Sequence, residues 1–201
     1  MNKGLSIVGS SRANGDREEN DFYPTPRYAV EALLEREKFE GSFWEPACGE
    51  GDISEVIKKY YPNNSIRSTD LIDRGYGQGD INFLSQIDLA GMGNIDNIIT
   101  NPPFSMALEF VEQSKKYSNK KIAMFLKTVF LEGKSRYNMF NDKKFPLKCM
   151  YQFCGRVPIY KSGIKLRNSG LIAYAWFVWD KDAPGRTELK WFKPGYKARY
   201  S

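Results

Sequence analysis

The chain has no histidine. That absence excludes catalytic triads built on imidazole and every His-containing metal site. Cysteine is scarce too. Cys48, Cys149 and Cys154 are too few and too irregularly spaced for a zinc site or a disulfide framework, which makes a reducing cytoplasm the natural home and leaves no metal expected. No apolar run approaches the ~20 residues of a membrane span. The opening MNKGLSIVGSSRANGDREEN lacks the apolar stretch of a secretion signal. A soluble intracellular protein without membrane partners is expected.

What is present is a chain of 201 residues, long enough to bury roughly 70% of the surface of its unfolded form without staples. Its 30 Lys and Arg outnumber its 24 Asp and Glu, a formal charge of +6. The excess is concentrated. Residues 115 to 170 hold 14 basic residues against Glu132 and Asp142, a local +12 that leaves the remainder at −6. A basic half joined to an acidic half is the electrostatic footprint of a protein that lays one face on nucleic acid, although a charge run is often only a solvated surface.

Along the chain, residues 1 to 20 are polar and without periodicity, and a flexible arm is expected there. Residues 21 to 201 are expected to form one domain. After DFYPTP a helix is predicted, with Thr25 as its cap, Pro26 in its first turn and Val30, Leu33 and Leu34 as its apolar stripe. A strand ending in FWEPACGEG, the helix DISEVIKKYY, a strand SIRSTD ending at Asp70, the buried strand NIDNIIT, the helix SMALEFVEQSKKY and the strand KKIAMFLK follow. This alternation predicts an α/β domain with a mostly parallel sheet covered on both faces. The last third is basic and aromatic, with one strand near Met150 to Cys154. LIAYAWFVWDKDAPGRTELKWF then predicts two strands joined by the turn DAPG as an antiparallel hairpin.

The unusual stretches fall at the carboxyl ends of predicted strands, where open α/β sheets collect their ligands. In Glu45-Pro46-Ala47-Cys48-Gly49-Glu50-Gly51, Gly49 and Gly51 let backbone approach a ligand, while Glu45 and Glu50 disfavour phosphate and favour a cation. Asp70, at the tip of the second strand, is suited to accept both hydroxyls of a ribose. In GDINFL, Asp80 or Asn82 is suited to accept from an adenine amino group and Phe83 to pack on its ring. A ligand with a ribose, an adenine and a positive charge is S-adenosylmethionine. In Asn101-Pro102-Pro103-Phe104 the Asn101 side-chain oxygen and the Pro102 carbonyl can each accept one N–H of an exocyclic amine, aimed by two fixed φ angles. No strong base is then needed. Phe104 offers a face to a base swung out of its helix.

These motifs in this order, with DFYPTP in front, resemble those of amino-type N6-adenine methyltransferases. LKTVFLEGKSRYNMF and AYAWFVWDK further resemble the small phage and prophage members. The resemblance covers roughly residues 20 to 192. It implies a Rossmann-like class I methyltransferase fold: a mostly parallel seven-stranded sheet with an antiparallel C-terminal hairpin and helices on both faces. It also implies that Thr25 and Glu45, beside the loop of Ala47, Gly49 and Gly51, hold the methionine end of the cofactor. Asp70 takes the ribose, Asp80 or Asn82 with Phe83 the adenine, and Asn101, Pro102, Pro103 and Phe104 the target adenine.

This chain departs from the family in carrying Asn82-Phe83-Leu84 where Asp-Phe-Leu is usual, and in leaving no room for a separate target-recognition domain. Contact with double-stranded DNA is therefore assigned to the basic segment from 133 to 170, through Lys134, Arg136, Arg156, Lys161, Lys165 and Arg167 interleaved with aromatics, with a second subunit as a further source of base reading. The same chemistry on adenine in RNA, or on protein glutamine, is the nearest alternative. A catalytically silent nucleic-acid-binding module is the alternative of another class.

Overall fold

The computed structural model describes residues 22–85, 94–159 and 172–195. The expected flexible arm lies outside them. So do Lys161, Lys165 and Arg167, and the structure bears on none of these.

The first helix, α1 (Arg27–Leu34), is too short to persist alone and depends on the face it buries. Val30, Leu33 and Leu34 are all buried, as the apolar stripe predicts, at about 1.5–3 kcal/mol for each large side chain. The cap differs from expectation. Pro26 occupies the N-cap position and no side chain caps the helix. Thr25 is instead buried and turned to another use, described below.

Among the described residues seven strands form one sheet: β1 (Phe43–Glu45), β2 (Ile66–Ser68), β3 (Asn97–Thr100), β4 (Lys121–Lys127), β5 (Leu147–Phe153), β6 (Tyr174–Asp180) and β7 (Glu188–Phe192). Their spatial order is β2-β1-β3-β4-β6-β5-β7. The pairs β2–β1, β1–β3 and β3–β4 are parallel. The further α-helices among the described residues are α2 (Asp52–Tyr60), α3 (Ala107–Tyr117) and α4 (Tyr137–Phe140).

The sheet is covered on both faces. Ile53, Val56 and Ile57 of α2 join α1 in one apolar cluster, against Ile99, Phe125 and Trp176 of the sheet. Ala107, Phe110 and Val111 of α3 and Met139 of α4 form the other, against Ile98, Ile122 and Phe177. The alternation of β3 and β4 between the two clusters is the two-residue period of a strand buried on both sides.

An antiparallel element closes the C-terminal side of the sheet, where β6 runs against both β4 and β5. Its partnering differs from the expected hairpin. β7 does not pair with β6 across DAPG. It lies beyond β5 and runs parallel to it. Burial explains the order: every residue of β6 is buried, so it needs a neighbour on each side, whereas four of the five residues of β7 are exposed, as suits an edge.

At the amino ends of the strands, a buried carboxylate gathers two lysines far apart in sequence. Glu37 accepts from Lys121 at 2.6 Å, from Lys148 at 2.7 Å and from the Tyr151 hydroxyl at 2.9 Å. Both lysines also lie within 3.5 Å of Asp180. Lys115 pairs with Asp142 at 2.9 Å and Lys120 lies 3.8 Å from Asp96. Four of the 14 basic residues of the 115–170 segment are thus engaged in ion pairs. Two of them, Lys121 and Lys148, sit at the end of the sheet opposite the loop that follows β3, so the +12 is not one continuous face. Among the described residues no helix is long and apolar enough to cross a membrane.

Candidate active site

Strand order reverses direction at β1, which has β2 on one side and β3 on the other. The carboxyl ends of β1 and β3 therefore open onto a crevice. It is a cleft with about 800 Å³ of open space, lined by residues from four separated stretches: 22–25, 45–53, 70–84 and 101–110.

The glycine loop after β1 forms one wall. Gly49 (φ +54) and Gly51 (φ +89) both adopt the left-handed conformation that favours glycine. A Cβ on Gly49 would stand 2.4 Å from the Phe22 ring, and one on Gly51 would stand 2.5 Å from the Tyr76 ring. The glycines are thus required by the side chains packed onto them. Ala47 and Gly49 line the cleft, whereas Gly51 lies behind it as the N-cap of α2.

Glu45 is buried beneath this loop, 1% exposed. Its Oε2 accepts the main-chain N–H of Ser54 at 2.9 Å and also the Ser54 hydroxyl, so the carboxylate caps α2 from the sheet. Burial pushes its carboxyl well above the usual range, and Asp52 and Asp70 add to the rise against the hydrogen bonds from Ser54. A cation bound in the cleft would favour the ionised form.

Asp70 stands two residues beyond the end of β2, where the Thr69–Gln78 bridge extends the pairing. Its Oδ2 accepts the Gly49 N–H at 2.7 Å and its Oδ1 accepts the Ile72 N–H at 3.0 Å. Each oxygen keeps a further lone pair for a hydroxyl. Asn82 and Phe83 line the cleft, and Asp80, at φ +58, does not. Asn82 Oδ1 accepts the Leu84 N–H at 3.0 Å. Phe83 is 2% exposed, with Trp44 edge-on at 5.1 Å and Phe110 at 5.0 Å, so it forms floor rather than offering a free ring face.

The opposite wall is the turn after β3. Asn101 Nδ2 donates to the Tyr23 carbonyl at 2.9 Å. A carbonyl only accepts, so this bond settles which end of the amide is which and turns Oδ1 the other way. Asn101 Oδ1 is buried and has no hydrogen-bond partner among the described residues. An acceptor left that way costs about 1–3 kcal/mol, which a ligand N–H would relieve. Thr25 and Pro103 also line the cleft, while Pro102 is buried behind it.

Phe104 leaves this cleft and lines an adjoining groove with Lys127, Phe130, Gly133 and Arg136. Tyr23 stacks on it at 5.9 Å, Tyr174 lies at 5.7 Å, and the Lys127 ammonium sits 4.2 Å from its ring centre. Of the basic residues assigned to nucleic acid, Lys134 and Arg156 are exposed. Arg136 is committed to its own loop, donating to the Phe130 carbonyl at 2.7 Å and stacking on that ring at 4.9 Å.

The fold brings together Thr25, Glu45, Ala47, Gly49, Asp70, Asn82, Phe83, Asn101 and Pro103 in one cleft. Sequence reasoning missed Phe22, Tyr23, Arg74 and Tyr174. Phe22 and Tyr23 were within reach, since two aromatics beside the prolines of DFYPTP stand out; Arg74 and Tyr174 carry no local signal.

No protein-family model matches the chain, and neither does any curated protein. Solved structures do. A modification subunit assigned to a type I restriction enzyme from Vibrio vulnificus is 18% identical, with a TM-score of 0.60, over 87% of this chain and 46% of that one. The M protein of the type I restriction enzyme EcoKI is 15% identical, with a TM-score of 0.59, over 81% and 44%. A Pyrococcus horikoshii protein described as an RNA methyltransferase is 13% identical, with a TM-score of 0.56, over 81% and 88%. The chain spans a little under half the length of the first two. At such identities the likeness is one of architecture: the chain has the Rossmann-like fold of class I methyltransferases.

Proposed function

We propose that this protein transfers a methyl group from S-adenosylmethionine to the exocyclic N6 of adenine in DNA, on a base swung out of the duplex, as a small phage-type enzyme of the cytoplasm. The observation that carries the reading is Asn101 Oδ1, a buried acceptor without a partner among the described residues, in the wall of a cleft suited to an adenosyl cation.

The residues present fit the cofactor. Ala47 and Gly49 of the glycine loop line the cleft, Asp70 retains lone pairs for ribose hydroxyls, and the cleft is rich in carboxylates. When bound, S-adenosylmethionine supplies an electrophilic methyl on a sulfonium. Thr25, Glu45, Ala47 and Gly49 would hold its methionine end, Asp70 the ribose, and Asn82 with Phe83 the adenine side. Asp80 lies off the cleft and is not retained as a contact.

An adenine amine is a poor nucleophile because its lone pair is delocalised into the ring. Asn101 Oδ1 and the Pro102 carbonyl would each accept one of its N–H bonds, drawing the nitrogen toward tetrahedral geometry so that its lone pair faces the methyl. Pro102 and Pro103, with fixed φ, hold both acceptors without reorganisation. The nitrogen would gain a bond to the methyl carbon as the carbon–sulfur bond breaks with its electron pair on sulfur, and the surplus proton of the amine would then leave to water. Tyr23 and Phe104, packed on each other and backed by Tyr174, would flank the base with ring surface. Lys127, beside Phe104, and the exposed Lys134 and Arg156 would meet the phosphates, a role extended to the basic segment 133 to 170 as a whole.

The test is incubation with methyl-labelled S-adenosylmethionine and, in parallel, duplex DNA, RNA and a glutamine-containing peptide, followed by digestion to nucleosides. N6-methyladenine in the DNA arm is expected. Label in RNA alone moves the same chemistry to another polymer, and label in none of the three refutes the reading.

A further inference from the structure

The carboxylates of the cleft suit the ammonium and sulfonium of the cofactor but leave its α-carboxylate unanswered. Lining the cleft are Glu45, Glu50, Asp52 and Asp70, and against them, among the described residues, stands one cation, Arg74. Its position follows from the glycine loop. Gly49 lacks a side chain, so the Phe22 ring rests directly on it. The Arg74 guanidinium in turn lies over that ring, with its central carbon 4.1 Å from the ring centre.

Stacking of this kind occupies the face of a guanidinium and leaves its N–H bonds free in the plane, the arrangement that binds a carboxylate through two parallel hydrogen bonds. Arg74 Nε is buried and has no acceptor among the described residues. A buried N–H without an acceptor is costly unless a ligand completes it, even on a half-buried side chain. The glycine loop is a weaker candidate for the same anion, because the Gly49 N–H already donates to Asp70 at 2.7 Å.

We propose that Arg74, resting over Phe22, is the residue that binds the α-carboxylate of the cofactor and so selects ligands with an intact amino-acid end. The inference rests on the reading that the cleft takes S-adenosylmethionine. Arg74 would be a binding residue, with no part in the methyl transfer.

Calorimetry with two ligands tests it. S-adenosylhomocysteine keeps the amino-acid end, whereas 5′-methylthioadenosine keeps the nucleoside and the thioether and lacks that end. Arg74→Met, which retains an unbranched side chain to cover Phe22, should weaken S-adenosylhomocysteine at least tenfold and leave methylthioadenosine within twofold of the unsubstituted protein. Arg74→Lys, which restores the charge without the planar fork, should recover part of the loss. Equal weakening of both ligands, or no change in either, overturns the assignment while the cofactor reading stands. An unsubstituted protein that binds neither ligand overturns the cofactor reading and the inference with it.

Discussion

The side-chain amide of Asn101 donates to the main-chain carbonyl of Tyr23 at 2.9 Å, across 78 positions of sequence. One hydrogen bond thereby ties the segment over the glycine loop to the residue proposed to hold the target amine. It also decides which way that residue's oxygen faces.

Asn101→Ala removes the oxygen and should lower turnover by roughly 10²- to 10³-fold, the usual loss for one preorganised acceptor or donor at a reacting centre. Affinity for S-adenosylhomocysteine should stay within about twofold, because Asn101 is proposed to touch the target rather than the cofactor. Single-turnover rates with labelled cofactor and calorimetry on the same preparation separate the two effects.

Gly49→Ala places a methyl where the Phe22 ring now lies, 2.4 Å from it. Displacing Phe22 would disturb both the glycine loop and the neighbouring Tyr23 carbonyl that orients Asn101. A loss of S-adenosylhomocysteine affinity of tenfold or more is expected. Gly75→Ala is the control: its φ of +80 imposes similar backbone strain, of about 1 kcal/mol, but no atom lies within 4 Å of the added carbon. Both variants should melt lower, and only Gly49→Ala should lose the ligand.

Glu37→Gln should destabilise the fold by about 3 kcal/mol at pH 7, since it leaves Lys121 and Lys148 short of a buried partner. The effect depends on pH. Burial alone would raise the Glu37 carboxyl, but the hydrogen bonds from Lys121, Lys148 and Tyr151 outweigh it and hold the group below its ordinary 4.5. A depressed carboxyl contributes stability that is fully present above 4.5 and is lost as pH falls through the lowered value. Urea midpoints of the two proteins should therefore converge below pH 4.5.

Alkylation should distinguish the cysteines. Cys154 is exposed, whereas Cys48 and Cys149 are buried. Burial, with Glu45 and Asp70 adding to it, pushes the Cys48 thiol up to about 12, so almost none is thiolate at pH 8. Iodoacetamide at that pH should give a single adduct by mass spectrometry, on Cys154; modification of Cys48 in the folded protein would show the glycine loop to be open.

Much of the architecture was legible because it is written in local patterns. The buried run through Ile98 and Ile99, the prolines that end it and the glycines at 49 and 51 each have a meaning set by covalent geometry. So the strand–helix alternation and the motifs at strand ends could be read without coordinates. The partners of β7 could not, because TELKWF favours a strand of either kind and only the full burial of β6 decides which strand takes the interior place. Thr25 illustrates the same limit: a threonine before a proline looks like a cap, and only the packed structure turns it into a cleft.

Charge was the least transferable signal. Counting residues 115 to 170 gives one basic half, yet Lys121 and Lys148 lie with Glu37 and Asp180 at the far end of the sheet. Sequence by itself determined which side chains exist and what each local backbone can do. Tertiary structure alone decided which of them meet: Asn101 with Tyr23, Phe22 with Gly49, and Arg74 above both, because long-range contact depends on strand order and burial, which no short stretch of chain encodes.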